Sequence, residues 1–486
     1  MKKLILTLIF GVAATCLAGA HTDTNIIDTD ATPTTGSYVP REGEIKFKML
    51  QSTKDKAIHE VLNTPFTKHY YSHFKPIDLD AAKPSHDYMG IGVSMTDAAC
   101  WLLSQIDIEA RHKFLKSVFS TQGLNMSIIR LNCGASDYAT EMYNYNDTKG
   151  DVEMKNFSVA RDEAYMIPII KQVYNYCPDV FVFSSVWSVP GWLKDNGQMC
   201  GGKLLDEHLP TFANYWTAYL KEYAKHGIKV DAITVQNEPS TDQRGGCPAT
   251  LVSPQQEIAL AGKYLPQAFK KAGLDTKIWV WDHDYVGWQR VNEVLADKNV
   301  KRNIDAVAWH PYSGKPEMIQ EVRKVHPDVK MHLTERGPSF AMKHVQDEKW
   351  WADYVFGALN NGCSSFSSWN LVLDPDGKPN VGRHPCAGLY TLDIKTATFT
   401  ESTQLRLFKH FSPYVKRGAK ILSIEQPNSN MIAIAFQNPE GDMVVCVAAA
   451  DKPTKRQTVQ LKYKGEYMVI NLPMDTWSVT TILIEK

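Results

Sequence analysis

Two kinds of hydrophobic pattern divide the chain. Near the N-terminus, Ile45-Lys46-Phe47-Lys48-Met49 alternates apolar and charged residues, the period-2 signature of a half-buried strand, and similar material continues to about Ile77. From about Pro413 the alternation returns, and 431–436, 443–448, 457–463 and 479–484 read as short strands between turn residues. In between, short continuous apolar runs alternate with amphipathic helices, the pattern of a parallel sheet covered on both faces. Eight such strands are predicted, at 89–95, 126–132, 180–186, 231–237, 277–284, 305–312, 330–336 and 364–370. Their number and spacing favour a closed barrel over an open doubly wound sheet.

One helix illustrates the fit. Phe212, Tyr215, Trp216, Tyr219, Leu220 and Tyr223 recur at spacings of three and four, and Gly227 follows as a stop signal. Its aromatic face should pack on the barrel, and the strand after it delivers Glu238 at its C-terminal end. The expected fold class is therefore α/β, a (β/α)8 TIM barrel with an appended β-sandwich made by the N- and C-terminal strands. The expected boundaries are a signal peptide at 1–20, a linker at 21–44, sandwich strands at 45–85, the barrel at 86–410 and the rest of the sandwich at 411–486.

The first residues add a destination. Met1-Lys2-Lys3, an apolar run from 4 to 14 and the small-residue site Ala18-Gly19-Ala20 have the layout of a secretory signal, with cleavage expected before His21. The product should be exported, to the periplasm, the cell surface or the medium. Cys16 offers a second route, lipidation, although Ala13-Ala14-Thr15 approaches it poorly. The apolar run is too short for a permanent anchor, and no later run is long enough to span a bilayer. The Thr/Asp/Pro/Ser-rich stretch to about Pro40 lacks the periodicity needed to bury itself and reads as linker.

Composition narrows the partners. Lys+Arg and Asp+Glu are equal at 53 each, so no net field holds the chain on nucleic acid or an anionic membrane. The 12 Trp and 21 Tyr permit a carbohydrate ligand without requiring one. The nine Cys lack the paired spacing of a zinc site, and no metal or other cofactor is expected. Cys200 and Cys247 sit in Gly-flanked loops and could form a disulfide after export. A monomer is expected.

The candidate chemistry rests on two carboxyl groups. Glu238 ends strand four in Asn237-Glu238-Pro239, and Glu335 ends strand seven in Thr334-Glu335-Arg336. In a barrel both face one mouth, where one can protonate a departing glycosidic oxygen and the other can meet the charge at the anomeric carbon. A gap of about 5–5.5 Å would imply retention. Taken singly, Asn-Glu-Pro is a common tripeptide and Glu-Arg a common surface pair; their joint placement carries the reading. Pro239 should hold Glu238 extended, Asn237 could bond a sugar 2-hydroxyl, and Arg130, ending strand two, should keep Glu335 ionised. Glu238 needs a raised pKa to keep its proton. His310 by itself reads as a core histidine. Asp282-His283-Asp284 fits hydrogen bonding to hydroxyls or to the acid/base better than it fits a metal. Trp187, Trp281 and Trp369 each end a strand and could wall a sugar pocket or fill core.

Six stretches together resemble glycoside hydrolase family 30: residues 90–99 (Gly-Ile-Gly-Val-Ser-Met-Thr-Asp-Ala-Ala), Ile128-Ile129-Arg130, residues 187–194 (Trp-Ser-Val-Pro-Gly-Trp-Leu-Lys), Asn237-Glu238-Pro239, Trp309-His310-Pro311-Tyr312 and Ser368-Trp369-Asn370. This family includes glucosylceramidases and β-1,6-glucanases. The resemblance implies Glu238 as acid/base, Glu335 as nucleophile and Arg130 as support. It further implies Asp97, Trp187, Asn237, His310, Tyr312 and Trp369 around the sugar, joined in the reading of the residues by Trp281 and Asp284, and a cis peptide at Ser368-Trp369. His332-Leu333-Thr334-Glu335-Arg336 departs from the Ser-Glu-Ala of lysosomal enzymes, which leaves the mechanism intact and weakens the case for a lipid substrate. The expectation is a secreted retaining endo-β-1,6-glucanase acting on β-glucan. Glucosylceramidase-like, β-xylosidase or β-fucosidase action on another β-glycoside is the alternative, and a non-catalytic carbohydrate-binding barrel is a distant one.

Overall fold

The structure, a computed structural model, describes residues 34–35, 40–342, 347–450, 457–473 and 476–486. The expected signal sequence, Cys16 and most of the expected linker lie outside the described residues. Eight parallel strands close into a barrel: β1 Gly90–Ser94, β2 Ile128–Asn132, β3 Phe181–Ser185, β4 Ala232–Thr234, β5 Lys277–Asp284, β6 Ala306–His310, β7 Lys330–Leu333 and β8 Cys363–Ser368. The ring shuts where Ser365 of β8 faces Gly90 of β1 and Ser368 faces Val93. Each strand falls within a predicted span except β8, which begins one residue earlier, at Cys363. Every residue of β1, β2 and β6 is buried, which is why these strands read as unbroken apolar runs. A side chain at Gly92 would collide with the barrel wall, since a Cβ there would lie 2.7 Å from Ile128 Cβ.

The aromatic helix spans Leu209–Lys225 and buries Phe212, Tyr215, Trp216, Tyr219, Leu220 and Tyr223. It ends ahead of Gly227, whose φ of +79° suits the residue type with no Cβ. The helix is tied to the barrel as well as packed on it: Ser184 of β3 donates to the Tyr219 hydroxyl at 3.1 Å. Such a helix gains most of its stability from this buried face, not from propensity.

Both chain ends form the second layer. An eight-stranded sheet runs, from edge to edge, Thr34–Thr35, Lys56–Leu62, Phe47–Thr53, Ser478–Ile484, Met443–Ala449, Met431–Gln437, Lys420–Ser423 and Lys83–Asp87. A three-stranded sheet of Glu466–Asn471, Thr458–Tyr463 and Pro76–Asp78 packs on it. The sandwich sheet thus reaches Asp87, slightly past the expected boundary. Val445 and Val447 point into the sandwich core, while Val444, Cys446 and Ala448 of the same strand join the barrel's outer core. Met443–Ala449 is therefore buried on both faces and fixes sandwich to barrel. Among the described residues no helix is long and apolar enough to cross a membrane.

One open possibility is not met here and one expectation fails. Cys200 and Cys247 are both free thiols. Pro248, not Cys247, stands opposite Cys200 in their backbone bridge, so Cys247 points the other way, toward Gly382. Among the described residues the cis peptide is Lys378-Pro379, and Ser368-Trp369 is trans. With the bond trans, Trp369 stacks on Trp187, ring centres 5.1 Å apart.

Candidate active site

The C-terminal ends of the barrel strands open into a cleft of about 480 Å³, lined among others by Asp137, Trp187, Asn237, Glu238, His283, Asp284, Tyr312, Glu335 and Trp369. Single backbone bonds carry its key residues beyond the regular ladder. Asn237 N–H donates to Val186 O at 2.9 Å, Glu238 N–H to Asp282 O at 3.0 Å and Thr334 N–H to Trp309 O at 2.9 Å. Glu238 and Glu335, which follow β4 and β7, thus reach one cleft.

Arg130 is the organiser. Fully buried in the middle of β2, it donates to Glu335 Oε2 at 2.5 Å, Asp282 Oδ2 at 2.8 Å and Asn237 Oδ1 at 2.8 Å. Trp187 and Trp369 cover it, their ring centres 4.7 and 5.6 Å from the guanidinium carbon. The other oxygen of Glu335 accepts from the Tyr312 hydroxyl at 2.7 Å. Both carboxylate oxygens are therefore fixed by donors, and a charge so buried needs such partners.

Asp282 compensates the arginine from below. Burial alone would raise its pKa, but Arg130, His310 and the Thr334 hydroxyl hold it well below the usual carboxylate range. Ser185 and Thr234 donate to Oδ2 at 2.9 and 2.7 Å, and Thr334 to Oδ1 at 2.6 Å. His310 bridges Asp282 and Glu238, with Nε2 3.0 Å from Asp282 Oδ1 and Nδ1 3.1 Å from Glu238 Oε1. Burial works against its charge, yet Glu335 and Asp282 push the imidazole up to about 10.

Glu238 departs from expectation in two ways. Burial favours its neutral form, but His310 and His283 outweigh that and lower its pKa. The contact with His310 favours the ionised carboxyl at Glu238 and the charged imidazole at His310. Nor does Pro239 hold it extended: φ is +46°, a left-handed conformation that costs about 1–3 kcal/mol and is kept by the backbone bonds on either side. Gln243 Nε2 donates to Glu238 Oε2 at 2.6 Å, and Gln243 Oε1 lies 3.0 Å from His384 Nε2.

Of the residues expected around a sugar, Trp187, Asn237, Asp284, Tyr312 and Trp369 line the cleft. Three do not. His310 is fully buried behind Glu238. Asp97 is also fully buried, its carboxylate consumed by Arg161 at 2.6 Å, Tyr165 at 2.6 Å and Thr140 N at 2.7 Å. Trp281 sits at a bulge in β5 with φ +76°. Its indole turns outward, donates to Asp284 O at 3.0 Å and lies beneath Arg290.

Sequence reasoning missed Asp137, Gln243 and His384. Asp137 follows β2 in the mouth, and burial with the charges of Glu335 and Glu238 pushes its carboxyl well up. Its place just past a strand end was the available signal. Burial, then the Glu238 charge, likewise raises Asp284 to about 6. Among the described residues, Glu238, His283 and His310 form the group whose donor atoms, all within 4.8 Å of one another, could share a metal ion.

Residues 88–415 match the glycosyl hydrolase family 30 TIM-barrel domain. The chain is 28% identical to an endo-1,6-beta-D-glucanase of Neurospora crassa over 69% of its own length and 71% of that protein. It is 26% identical to the lysosomal acid glucosylceramidase of Mus musculus over 76% of each. The solved endo-beta1,6-glucanase BT3312 superposes with a TM-score of 0.80, covering 90% of this chain and 99% of that one, at 23% identity.

Proposed function

The chain belongs to glycoside hydrolase family 30, and from that premise we propose that it is an exported retaining endo-β-1,6-glucanase with Glu335 as nucleophile and Glu238 as acid/base. The observation that carries the reading is the pair of carboxylates in one cleft with opposite surroundings. Glu335 is gripped by Arg130 and Tyr312, and Glu238 faces His310.

In the first step a Glu335 oxygen attacks the anomeric carbon and the glycosidic bond breaks. The leaving oxygen takes a proton from Glu238, to which His310 has passed it, so that Glu238 ends the step as a carboxylate. The glycosyl group is then esterified to Glu335. In the second step Glu238 removes a proton from water, whose oxygen attacks the same carbon and frees Glu335, returning the β-anomer. Arg130 orients Asn237 by its carbonyl oxygen, which leaves the amide NH₂ for the sugar 2-hydroxyl. Asp137, whose carboxyl burial and the nearby Glu335 and Glu238 charges push toward the neutral form, can in that form both donate to and accept from another hydroxyl. The stacked indoles of Trp187 and Trp369 close one side.

The glucan preference is supported by the similarity to endo-1,6-glucanases and by the polar character of much of the lining, including Asp137, Gln243, Asp284 and His384. One feature favours a lipid aglycone instead: Ala341 and Met342 line the rim and Phe340 is 56% exposed beside them. Side-by-side assay of linear β-1,6-glucan, β-1,3-glucan, xylan, glucosylceramide and aryl glycosides decides the substrate. The proposal expects a large preference for β-1,6-glucan with release of short oligomers. Inactivity on it, with turnover of glucosylceramide, would transfer the assignment to the lipid.

A further inference from the structure

We propose that Glu238, His283 and His310 form a binding site for a divalent transition-metal ion of the zinc type, which closes the catalytic cleft by occupying the acid/base. Three observations converge. First, the donor spacing fits. Glu238 Oε1 lies 3.1 Å from His310 Nδ1 and 3.7 Å from His283 Nδ1. Those distances bracket the roughly 3.4 Å between ligands that a tetrahedral ion with bonds of about 2.0–2.1 Å requires.

Second, His283 Nδ1 is buried and has no hydrogen-bond partner, an orphan beside Glu238 that the glycosidase reaction leaves unexplained. Its imidazole arrives there through the β5 bulge between Trp281 and His283. Third, His310 already has the outer partner of a metal-ligating histidine: its Nε2 is held by the Asp282 carboxylate at 3.0 Å, which orients Nδ1 toward the cluster. Two imidazoles and one carboxylate select zinc, copper or nickel over magnesium or calcium. The cleft side, lined by Glu238, His283 and Asp284, leaves the fourth position to water.

The binding site stands on geometry alone; the inhibition it would cause rests on Glu238 being the acid/base. The ion would take the carboxylate oxygen that faces His310 and block proton delivery to the leaving group. The test uses the full chain. Co²⁺ as a spectroscopic stand-in should give the visible bands of a tetrahedral site without a thiolate charge-transfer band. His283→Ala should weaken binding by about tenfold or more, and His283→Gln serves if the alanine variant does not fold. Zn²⁺ should inhibit hydrolysis of an aryl β-glucoside, EDTA should restore it, and the inhibition constant should rise in parallel in the variant. A sulfur charge-transfer band would place the metal on Cys247 or Cys386 and overturn the proposal, as would equal affinity in both His283 variants. Co²⁺ bound at this cluster in a chain that hydrolyses no glycoside would uphold the site and refute the enzymatic reading instead.

Discussion

The hydroxyl of Tyr312 donates to Oε1 of Glu335 across 2.7 Å, on the carboxylate oxygen that Arg130 leaves free. Tyr312 comes from the loop after β6 and Glu335 from the end of β7, so the bond also ties two barrel loops. Tyr312→Phe should keep the ring and lose the donor. A hydrogen bond to a charged group is worth about 1.5–3 kcal/mol, so kcat/KM should fall roughly 10- to 100-fold. The loss should appear in kcat with KM for an aryl β-glucoside little changed. An unaltered kcat would mean that Arg130 alone orients the nucleophile.

Gln243 makes a separate prediction through Glu238. Its amide fixes Oε2 at 2.6 Å and is itself held by His384. Gln243→Ala should impair protonation of the leaving group by roughly tenfold. Substrates with poor leaving groups should suffer, while dinitrophenyl glycosides, which depart unaided, should be nearly unaffected. Equal losses on both would show that Gln243 shapes the cleft instead of positioning the acid/base.

Away from the cleft, Glu348 makes stability depend on pH. It is fully buried where barrel meets sandwich, and accepts from Ser52 at 2.5 Å. Arg406 Nε is 2.9 Å from Oε1 but is not aligned to donate. Burial raises this carboxyl to about 7, against the lowering effects of Ser52 and Arg406. The folded pKa exceeds the unfolded one, so the contribution is fully present below about pH 4.5 and is lost as pH rises through 7. The change amounts to about 3 kcal/mol. Glu348→Gln should remove that slope, and urea unfolding of both proteins at pH 5 and pH 8 measures it. Parallel pH dependences would assign the charge change elsewhere.

The parts legible in the sequence were those set by periodicity and by position on a strand. The runs of β1, β2, β4 and β6 are buried at every residue and those of the other barrel strands over most of their length, so each announced itself. The aromatic spacing of Leu209–Lys225 did the same. Glu238 and Glu335 were found because strand ends in a barrel share a mouth. What escaped depended on backbone turns that no side-chain pattern encodes. The bulge at Trp281 to His283, with φ +76° and +57° at its first two residues, sends Trp281 outward, Asp282 inward to Arg130 and His283 against Glu238. Asp97 was lost to Arg161, 64 residues away. Gln243 meets His384 across 141 residues, a contact between two loops that only the closed barrel brings together.

The central claim is that Glu335 becomes covalently bonded to the sugar. Incubation with 2,4-dinitrophenyl 2-deoxy-2-fluoro-β-glucoside, followed by peptide mapping in a mass spectrometer, tests it directly. The label should appear on the peptide containing Glu335 and be absent from Glu335→Gln. A label on another carboxylate, or turnover with inversion and no adduct, would contradict the account.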